Sequence, residues 1–442
     1  MRASEMDLVI DNAQFIVTSD SKDSVLRNCA IGIKDKKIAA IQKAGTIQGS
    51  RTYDARGKLI APGLINAHTH LAMTLLRGWA EGVNLQSFLE KVWAAESLIM
   101  SPSNVAIGTQ LGALESLLGG TTTAVDMYLH PDSAHRGAAL TGIRHITGPI
   151  FLDFSGLDGL EWEQRLDVAK KWTEVLKDIG GPEVPVFLMP HSTYTVSPDH
   201  LVIIAKLAIE MSASINIHAS ENLGENEDVY KRFSKTPTAI LKETGLLKSH
   251  TLVGHGIHLT DEDIQSLASA GAAVAHCPSS NLKLGSGIAD VKKYHSMGLS
   301  VALGTDGCSS SNDLDLWTVM RTTANLYAQK NGPENLQASK IFRMATIEAA
   351  QSLGLESSIG SIEVGKIADL ISIDLNKAHL IPLHDVFAQL VFAVGRGDVR
   401  DVWVDGKQVV VDGKSPLIDF IELSAEVEVL RKSLNREPNA EG

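Results

Sequence analysis

Histidine residues close short apolar runs at several places in this sequence, and the first of these places carries two of them. His68 and His70 follow the run Leu64–Asn66. Residues i and i+2 of a strand point to the same side, so both imidazoles can approach one ion. An imidazole pair of this kind suits Zn²⁺ or Fe²⁺. On spacing alone, two polar residues at the end of a strand explain the pattern equally well.

Two more histidines end apolar runs further along the chain. His218 ends Ser214–Ile217, and Glu221 follows where the chain should turn towards a helix. A carboxylic acid near an activated water is a natural proton shuttle; the alternative is a glutamate that caps the next helix. His255 ends Thr251–Gly254. It could bind the ion, hydrogen-bond the ion's water, or be a structural histidine of the core.

An aspartate follows the last of these runs, Leu299–Gly304. Asp306 is preceded by Thr305 and followed by Gly307, and the glycines on either side of Thr-Asp permit tight turns. A carboxylate at this place could bind an ion and also accept the proton of an attacking water. Because Asp-Gly pairs are also common in simple turns, that is the alternative interpretation.

Eight apolar runs alternate with helix-like segments, which is typical of βαβ units with a parallel sheet. The runs are 64–66, 122–126, 145–150, 186–189, 214–217, 251–254, 272–275 and 299–304, and helical segments include 104–118, 166–179, 199–211 and 261–270. Their number favours an α/β fold of the (β/α)8 TIM-like barrel type over an open doubly wound sheet. In such a barrel all strand ends face one mouth, where the residues above would converge.

Both ends of the chain are β-rich. Residues 7–61 alternate apolar and polar residues between turn signals, and similar runs return after residue 365, where Asp405-Gly406 predicts a hairpin. The two ends could pair into one small β-sandwich domain. We predict a first sandwich part at 1–61, a barrel at 62–364, and a second sandwich part with a C-terminal helix at 365–442, ending in an irregular segment at 436–442.

The composition is that of a globular protein and argues against some partners. Of the 442 residues, 44% are apolar and 21% are charged, and the net charge is −12. A protein that binds nucleic acids or anionic membranes needs a basic surface, and the acidic net charge of this chain argues against such a surface. The sequence has no secretory signal pattern and no apolar stretch of the roughly 20 residues that a membrane helix needs. With three scattered cysteines, we expect a cytoplasmic protein without nucleic-acid or membrane partners.

Several longer segments resemble one known family. They are Pro62–Gly78, Pro190–Tyr194, His218–Glu221, His276–Leu284, Gly304–Gly307 and Gly360–Leu370. These segments resemble the amidohydrolase superfamily, and within it the 5-methylthioadenosine/S-adenosylhomocysteine deaminase and chlorohydrolase-like branch. The resemblance covers nearly the whole chain. It implies a barrel fold and the hydrolytic deamination of an adenosine-type nucleoside with release of ammonia.

The resemblance also implies a role for each candidate residue. One divalent metal ion per subunit, zinc or alternatively iron, would be held by His68, His70, His218 and Asp306. Glu221 would pass a proton to the ring nitrogen, His255 would orient the attacking water, and Asp306 would take the proton of that water. Two-metal relatives bridge their ions through a modified lysine at the end of strand four. This chain has His191 there, so a single ion is expected.

Substrate contacts follow from the same resemblance. Glu96 matches a glutamate that binds the ribose hydroxyls, and a carboxylate is a good acceptor for a diol. His191 matches a histidine that contacts the substrate, and Arg144 resembles an arginine at the distal end of the site. The alternatives are a solvated acid at a helix start for Glu96 and a structural salt bridge for Arg144. Asn222 and Thr193 depart from the residues usual near the site, which leaves the exact substrate open.

Other functions remain as alternatives. A deaminase of a free base (guanine, 8-oxoguanine or a pterin) and an s-triazine hydrolase would use the same ion ligands, although Glu96 argues against both. A cytidine-deaminase type of zinc site needs H-x-E with P-C-x-x-C, and neither pattern occurs here. A metal-free scaffold of the same fold would lack the four ligands, which are all present. The expected partner is a small-molecule substrate, and a homo-oligomer is expected by analogy with relatives.

Overall fold

The computed structural model describes residues 5–434, so the predicted irregular segment at 436–442 lies outside the described residues. The strands are β1 (Leu8–Val17), β2 (Val25–Lys34), β3 (Lys37–Lys43), β4 (Thr52–Asp54), β5 (Lys58–Pro62), β6 (Leu64–Thr69), β7 (Thr121–Asp126), β8 (Arg144–Thr147), β9 (Ile150–Phe151), β10 (Phe187–Pro190), β11 (Ser214–Ala219), β12 (Thr251–His255), β13 (Ala273–His276), β14 (Ser300–Leu303), β15 (Leu370–Asp374), β16 (Val399–Val404) and β17 (Lys407–Val410).

The helices are α1 (Leu85–Ile99), α2 (Pro102–Leu118), α3 (Pro131–Ala139), α4 (Trp162–Ile179), α5 (Pro198–Met211), α6 (Leu223–Phe233), α7 (Pro237–Thr244), α8 (Asp261–Ser269), α9 (Pro278–Lys283), α10 (Val291–Ser296), α11 (Cys308–Ser311), α12 (Leu316–Asn331), α13 (Ala338–Met344), α14 (Ile347–Gln351), α15 (Val386–Phe392) and α16 (Phe420–Ser433). None of the helices within residues 5–434 has both the length and the apolar character that a membrane crossing requires.

The chain divides into two units. The first comprises Met1–Asn66, Ser116–Thr123 and Asp315–Pro416, and the second comprises Ala67–Glu115, Ala124–Leu314 and Leu417–Gly442. The first unit therefore takes α12, α13 and α14, which the sequence boundaries had assigned to the barrel. Two hydrogen bonds within this unit help to explain the assignment. The Trp317 indole donates to the Gly119 carbonyl at 2.8 Å, and Arg343 Nη1 donates to the Asp20 carbonyl at 2.7 Å.

A single mixed sheet dominates the first unit. Its strand order is β17-β16-β15-β5-β1-β2-β3, and β4 also pairs with β1. The two β-rich chain ends meet where β5 pairs antiparallel with β15. The hairpin predicted at Asp405-Gly406 is confirmed, since β16 pairs with β17 and both turn residues have positive φ, at 51° and 68°. Buried side chains such as Ile10, Ile60 and Trp403 form the core of this unit.

Parallel strands and helices make up most of the second unit. One sheet has the order β14-β13-β12-β11-β10-β9, and its strand pairs are all parallel. A second sheet has the order β6-β7-β8, and the line between the two units crosses β6 and β7. Each of the eight predicted apolar runs overlaps a strand. The α/β class and the parallel sheets predicted from the sequence are therefore confirmed.

The third predicted run is interrupted. Residues 145–150 were expected to form one strand, but β8 ends at Thr147 and β9 begins at Ile150. Pro149, between them, has no N–H to donate to a neighbouring strand. Its carbonyl still accepts a hydrogen bond from the Met189 amide, at 2.9 Å, so the chain continues beside β10 despite the break.

Candidate active site

His68 and His70 lie at the carboxyl end of β6 and are buried. Nδ1 of His70 lies 2.6 Å from the Met127 carbonyl oxygen. A carbonyl can only accept, so Nδ1 carries a proton and Nε2 faces the site; burial lowers the pKa of this ring, but its hydrogen bond to Asp306 raises the pKa to about 9. That Nε2 lies 3.1 Å from Oδ1 of Asp306. The backbone after β7 therefore fixes which nitrogen of His70 faces the site.

His218, near the carboxyl end of β11, is oriented in the same way. Its Nδ1 lies 2.8 Å from the His191 carbonyl oxygen, so this nitrogen is the donor. Its Nε2 lies 3.1 Å from Nε2 of His68. Two imidazole nitrogens from distant parts of the chain are thus brought together with the geometry of two ligands of one ion.

Asp306 follows β14 with a positive φ of 60°. Its amide donates to the His68 carbonyl at 3.0 Å, which ties the turn to β6. Oδ2 accepts hydrogen bonds from the hydroxyls of Ser280 and Ser310, each at 2.6 Å, and Oδ1 faces His70. Burial alone would raise the pKa of this carboxyl, but the hydrogen bond and charge of His70 hold it well below its usual value.

Gly304 permits this close approach. A Cβ at that position would lie 2.9 Å from both the His68 carbonyl oxygen and Sγ of Cys277. Such contacts are shorter than side chains tolerate, so any larger residue would push the turn before Asp306 away from β6.

We refer to His68, His70, His218 and Asp306 as the ion cluster. Ligand atoms of a tetrahedral zinc site, with bonds of about 2.0–2.2 Å, lie roughly 3.3–3.6 Å apart. Two separations in the cluster are 3.1 Å, and Nε2 of His68 lies 3.8 Å from Oδ1 of Asp306. Backbone carbonyls hold two of the imidazoles in the tautomer that a ligand requires. These residues fit one divalent ion.

His255 and Glu221 lie beside the ion cluster. Nδ1 of His255 lies 2.9 Å from Oδ1 of Asn281, and its Nε2 lies 3.9 Å from Oε1 of Glu221. His255 also belongs to a group with His68 and His218 whose nitrogens lie within 4.8 Å of one another. Burial raises the pKa of Glu221, although the charge of His255 opposes the shift. A buried acid that holds its proton more tightly than usual is suited to proton transfer.

Glu225 is a residue that the sequence reasoning missed. Its Oε1 accepts a hydrogen bond from the Ser220 amide at 3.1 Å, and its Oε2 accepts one from the Glu221 amide at 2.8 Å. Asn222, the departure noted in the sequence, caps α6 by accepting from the Glu225 amide. The only signal for this arrangement was a second glutamate one helical turn after Glu221, which is also common on exposed helices.

Glu96 and His191 both line the same cavity as the ion cluster. Glu96, on α1, is buried and accepts a hydrogen bond from the Tyr128 hydroxyl. Burial raises the pKa of Glu96 to about 7, while the Tyr128 hydrogen bond opposes the rise. His191 follows β10 with Nδ1 3.0 Å from Oγ1 of Thr195, and burial lowers its pKa to about 4. The structure thus brings both predicted substrate-contact residues to the site.

Arg144 is placed elsewhere. It is the first residue of β8, whereas the ion cluster lies at the carboxyl ends of strands, and it does not line the cavity. The side chain is buried, and Nη1 donates to the Glu183 carbonyl at 2.6 Å. This placement does not support the predicted contact between Arg144 and the substrate, and it favours a structural role for this side chain. Sequence reasoning could not separate the two because both occur next to a strand.

The cavity that joins these residues has a volume of about 1020 Å³ including its open mouth. Imidazoles and carboxylates meet there at the carboxyl ends of parallel strands, and apolar side chains line most of the remainder. An α/β fold with an imidazole and carboxylate donor set at its strand ends is typical of metal-dependent hydrolases.

The chain belongs to the amidohydrolase family, whose model matches residues 59–409. It is 41% identical over 395 residues to the 5-methylthioadenosine/S-adenosylhomocysteine deaminase of Symbiobacterium thermophilum, covering 88% of this chain and 90% of that protein. A zinc-bound adenosine deaminase of Xanthomonas campestris matches with a TM-score of 0.93 at 32% identity, covering 98% and 99% of the two chains. The zinc complex of the atrazine chlorohydrolase of Arthrobacter aurescens TC1 matches with a TM-score of 0.88 at 26% identity, covering 96% and 100%. The resemblance predicted from the sequence is confirmed.

Proposed function

We propose that this protein is a metal-dependent enzyme that hydrolytically deaminates adenosine-type nucleosides: 5-methylthioadenosine, S-adenosylhomocysteine or adenosine. One observation carries the proposal. Glu221 and His255 face the ion cluster in a cavity that also contains the buried carboxyl of Glu96. The two relatives above that are named as deaminases support the same reaction.

The ion cluster would hold one divalent ion, with zinc as the first candidate and iron as the alternative. When bound, such an ion would lower the pKa of a water molecule and so supply a nucleophile near neutral pH. A three-imidazole, one-carboxylate donor set is compatible with both metals.

The chain's own residues would move the protons. Asp306, whose carboxylate stays ionised, would accept the proton of the attacking water, and His255 would orient that water. Glu221 would donate its proton to the ring nitrogen beside the carbon under attack, which relieves the charge that develops on the ring. Asp306 would pass the proton that it accepted to the exocyclic amine, which would leave as ammonia. The remaining hydroxyl proton would return to Glu221, and the ring would become a lactam.

Glu96 and His191 would bind the substrate. The two oxygens of the Glu96 carboxyl group would accept hydrogen bonds from the two ribose hydroxyls. His191, neutral near pH 7 because burial lowers its pKa, would offer a ring nitrogen as a hydrogen-bond partner to the substrate. A free base has no ribose for Glu96 to bind, and this favours a nucleoside over a guanine-type or pterin substrate.

We also infer that the two parallel sheets close into a (β/α)8 barrel. Two backbone hydrogen bonds support closure: the Asp306 amide donates to the His68 carbonyl, and the Met189 amide donates to the Pro149 carbonyl. The sheet formed by both chain ends would be the core of the predicted β-sandwich domain, whose strands lie before residue 62 and after residue 364, and α12, α13 and α14 belong to the same unit. A cytoplasmic location and a homo-oligomer remain expectations.

A screen for ammonia release tests the proposed function. It would compare the three adenosine-type nucleosides with guanine, 8-oxoguanine, a pterin and an s-triazine, alongside metal analysis of the purified protein. We expect release from nucleosides by protein that carries about one equivalent of metal. Release from a free base or a triazine alone would contradict the proposal, and metal-free protein without activity would support a scaffold.

Two substitutions sharpen the screen. Glu221→Gln should keep the bound metal but lose kcat by roughly 10³-fold, because the acid that protonates the ring is gone. Near-normal turnover would remove Glu221 from the reaction. Glu96→Ala should reduce kcat/KM for nucleosides far more than any residual activity on a free base, and equal losses on both would refute the ribose contact.

A further inference from the structure

The cavity has two chemically different ends. The inner end carries the ion cluster and Glu221, which are buried. The outer end is lined by Trp93, Phe154 and Leu157, whose surfaces are 38%, 47% and 40% exposed. We refer to these three residues as the apolar mouth. A ligand that spans the cavity therefore contacts ionisable groups at its inner end and a hydrocarbon surface at its outer end.

The proposed reaction fixes how a nucleoside lies between these ends. The ring carbon that loses its amine must reach the ion cluster, and the ribose hydroxyls would be bound by Glu96. Glu96 lies on α1 one turn after Trp93, so the sugar is held next to the apolar mouth. The 5′ substituent, on the side of the sugar away from the reacting carbon, would then extend into the mouth.

Positive charge is missing from the wall of this cavity. Within the part of the chain that the structure describes, neither lysine nor arginine is among the lining residues. Arg165 lies behind the wall, 2.7 Å from where a Cβ on Gly156 would be. Its guanidinium is already bound by both carboxylate oxygens of Asp158, at 2.8 and 2.9 Å. Burial and this pairing leave Arg165 no role as a carboxylate receptor.

We propose that this site selects adenosine-type nucleosides whose 5′ substituent is small, apolar and uncharged, such as a methylthio group, and discriminates against a charged amino-acid tail. The inference rests on the proposed function and narrows its substrate. A methylthio group would transfer apolar surface from water onto Trp93, Phe154 and Leu157. The homocysteine tail carries an ammonium and a carboxylate, which the same wall would desolvate without offering a counter-charge.

Steady-state kinetics on the metal-loaded enzyme test the proposal. We expect kcat/KM for 5-methylthioadenosine to exceed that for S-adenosylhomocysteine by at least about tenfold, the ratio that a difference of about 1.4 kcal/mol produces. We expect adenosine, with a polar 5′ hydroxyl, to be intermediate. Equal or better use of S-adenosylhomocysteine would overturn the proposal but leave the deaminase function intact. If none of the three releases ammonia, the proposed function itself fails.

Substitution in the apolar mouth supplies a second test. Leu157→Arg places a cation beside the predicted path of the tail, and it should shift the preference towards S-adenosylhomocysteine by about tenfold. The control Leu157→Gln is polar but uncharged, and it should shift the ratio by no more than about twofold. An unchanged ratio in a folded Leu157→Arg enzyme would overturn the proposal. Phe154→Arg makes the same test at a second residue of the apolar mouth if Leu157→Arg does not fold.

Calorimetry separates binding from turnover. The Glu221→Gln variant, which turns over slowly, should bind 5-methylthioadenosine more tightly than S-adenosylhomocysteine. Adding Leu157→Arg to this variant should reduce the difference between the two dissociation constants. If the two ligands bind equally well to the Glu221→Gln protein, the mouth does not discriminate, and the proposal fails.

Discussion

Two buried aspartates, each in a different unit of the chain, have opposite surroundings. Asp401, on β16, accepts hydrogen bonds at both oxygens: Oδ2 from Tyr53, Lys58 and Ser372, and Oδ1 from Gln408 and the Asp412 amide. Oδ2 of Asp306 is bound by two serine hydroxyls, whereas its Oδ1 faces Nε2 of His70 at 3.1 Å and Nε2 of His68 at 3.8 Å.

This difference separates a structural carboxylate from a reactive one. Asp401 is saturated with donors and joins strands from the two ends of the chain, so its negative charge is balanced locally. The other oxygen of Asp306 faces imidazoles instead, and a carboxylate oxygen beside imidazole nitrogens is a ligand set suited to a divalent cation. Burial alone did not distinguish the two, because both are less than 9% exposed. The types of the partner atoms did.

Asp306→Asn should have the largest effect. Loss of the charge should weaken metal binding and reduce kcat by more than about 10³-fold, a barrier increase of about 4 kcal/mol. Metal content and turnover of the purified variant are the measurements, and circular dichroism controls for folding. A variant that retains one metal ion and normal turnover would contradict the role of Asp306.

Glu96 should make stability depend on pH. Folding raises its pKa from 4.5 to about 7, so the folded protein binds the proton more tightly, and stability falls as the pH rises from about 4.5 to 7. Between these two pH values, the free energy of unfolding of the wild-type protein should fall by about 3 kcal/mol relative to that of the Glu96→Gln variant. Denaturant unfolding at several pH values measures the difference. A constant difference between the two proteins would contradict the raised pKa.

Asp401→Asn should reduce stability and leave turnover unchanged, whereas Asp306→Asn should reduce turnover. Removing the charge that Lys58 and Tyr53 share should lower the free energy of unfolding by about 2–3 kcal/mol. Turnover per metal-loaded molecule should stay the same, since Asp401 does not line the cavity. Denaturant unfolding and steady-state kinetics on the same preparation measure the expected loss of stability and the expected unchanged turnover. Loss of turnover without loss of stability would break the comparison.

Glu225→Gln should have the smallest effect. One of the two amides that Glu225 binds would face an NH₂ group instead of an oxygen, and the backbone at Glu221 would loosen. We expect kcat to fall by about tenfold, with KM and metal content almost unchanged. If KM and kcat changed in parallel, Glu225 would support the cavity in general rather than position Glu221.

Much of the fold and of the site followed from local pattern. The eight apolar runs became strands, and the histidines that end three of them, His68, His218 and His255, meet in one cluster. Strand ends are predictable because burial on a parallel sheet requires continuous apolar residues, and polar residues then mark where the strand stops. The break after Thr147 escaped prediction because the apolar character continues across Pro149.

The hydrogen-bond partners of charged side chains could not be predicted from the sequence. Arg144 and Glu96 were both charged residues beside predicted elements, yet one is bound by the Glu183 carbonyl and the other lines the cavity. Glu225 shows the same limit, since its two acceptor contacts depend on a turn at Ser220 with a positive φ of 55°. Contacts of this kind depend on distances between elements, which the spacing of residues within one element does not encode.

The amino-acid sequence by itself determined which residue types stand at the strand ends, and therefore the chemistry that this protein can attempt. The tertiary structure decided which nitrogen of His70 and of His218 faces the site, which carboxylate is saturated with donors and which faces imidazoles, and that the lining of the cavity mouth is apolar and contains no lysine or arginine. The physical reason is that hydrogen bonds and charge pairs act over a few ångströms, and only folding brings distant residues within that range.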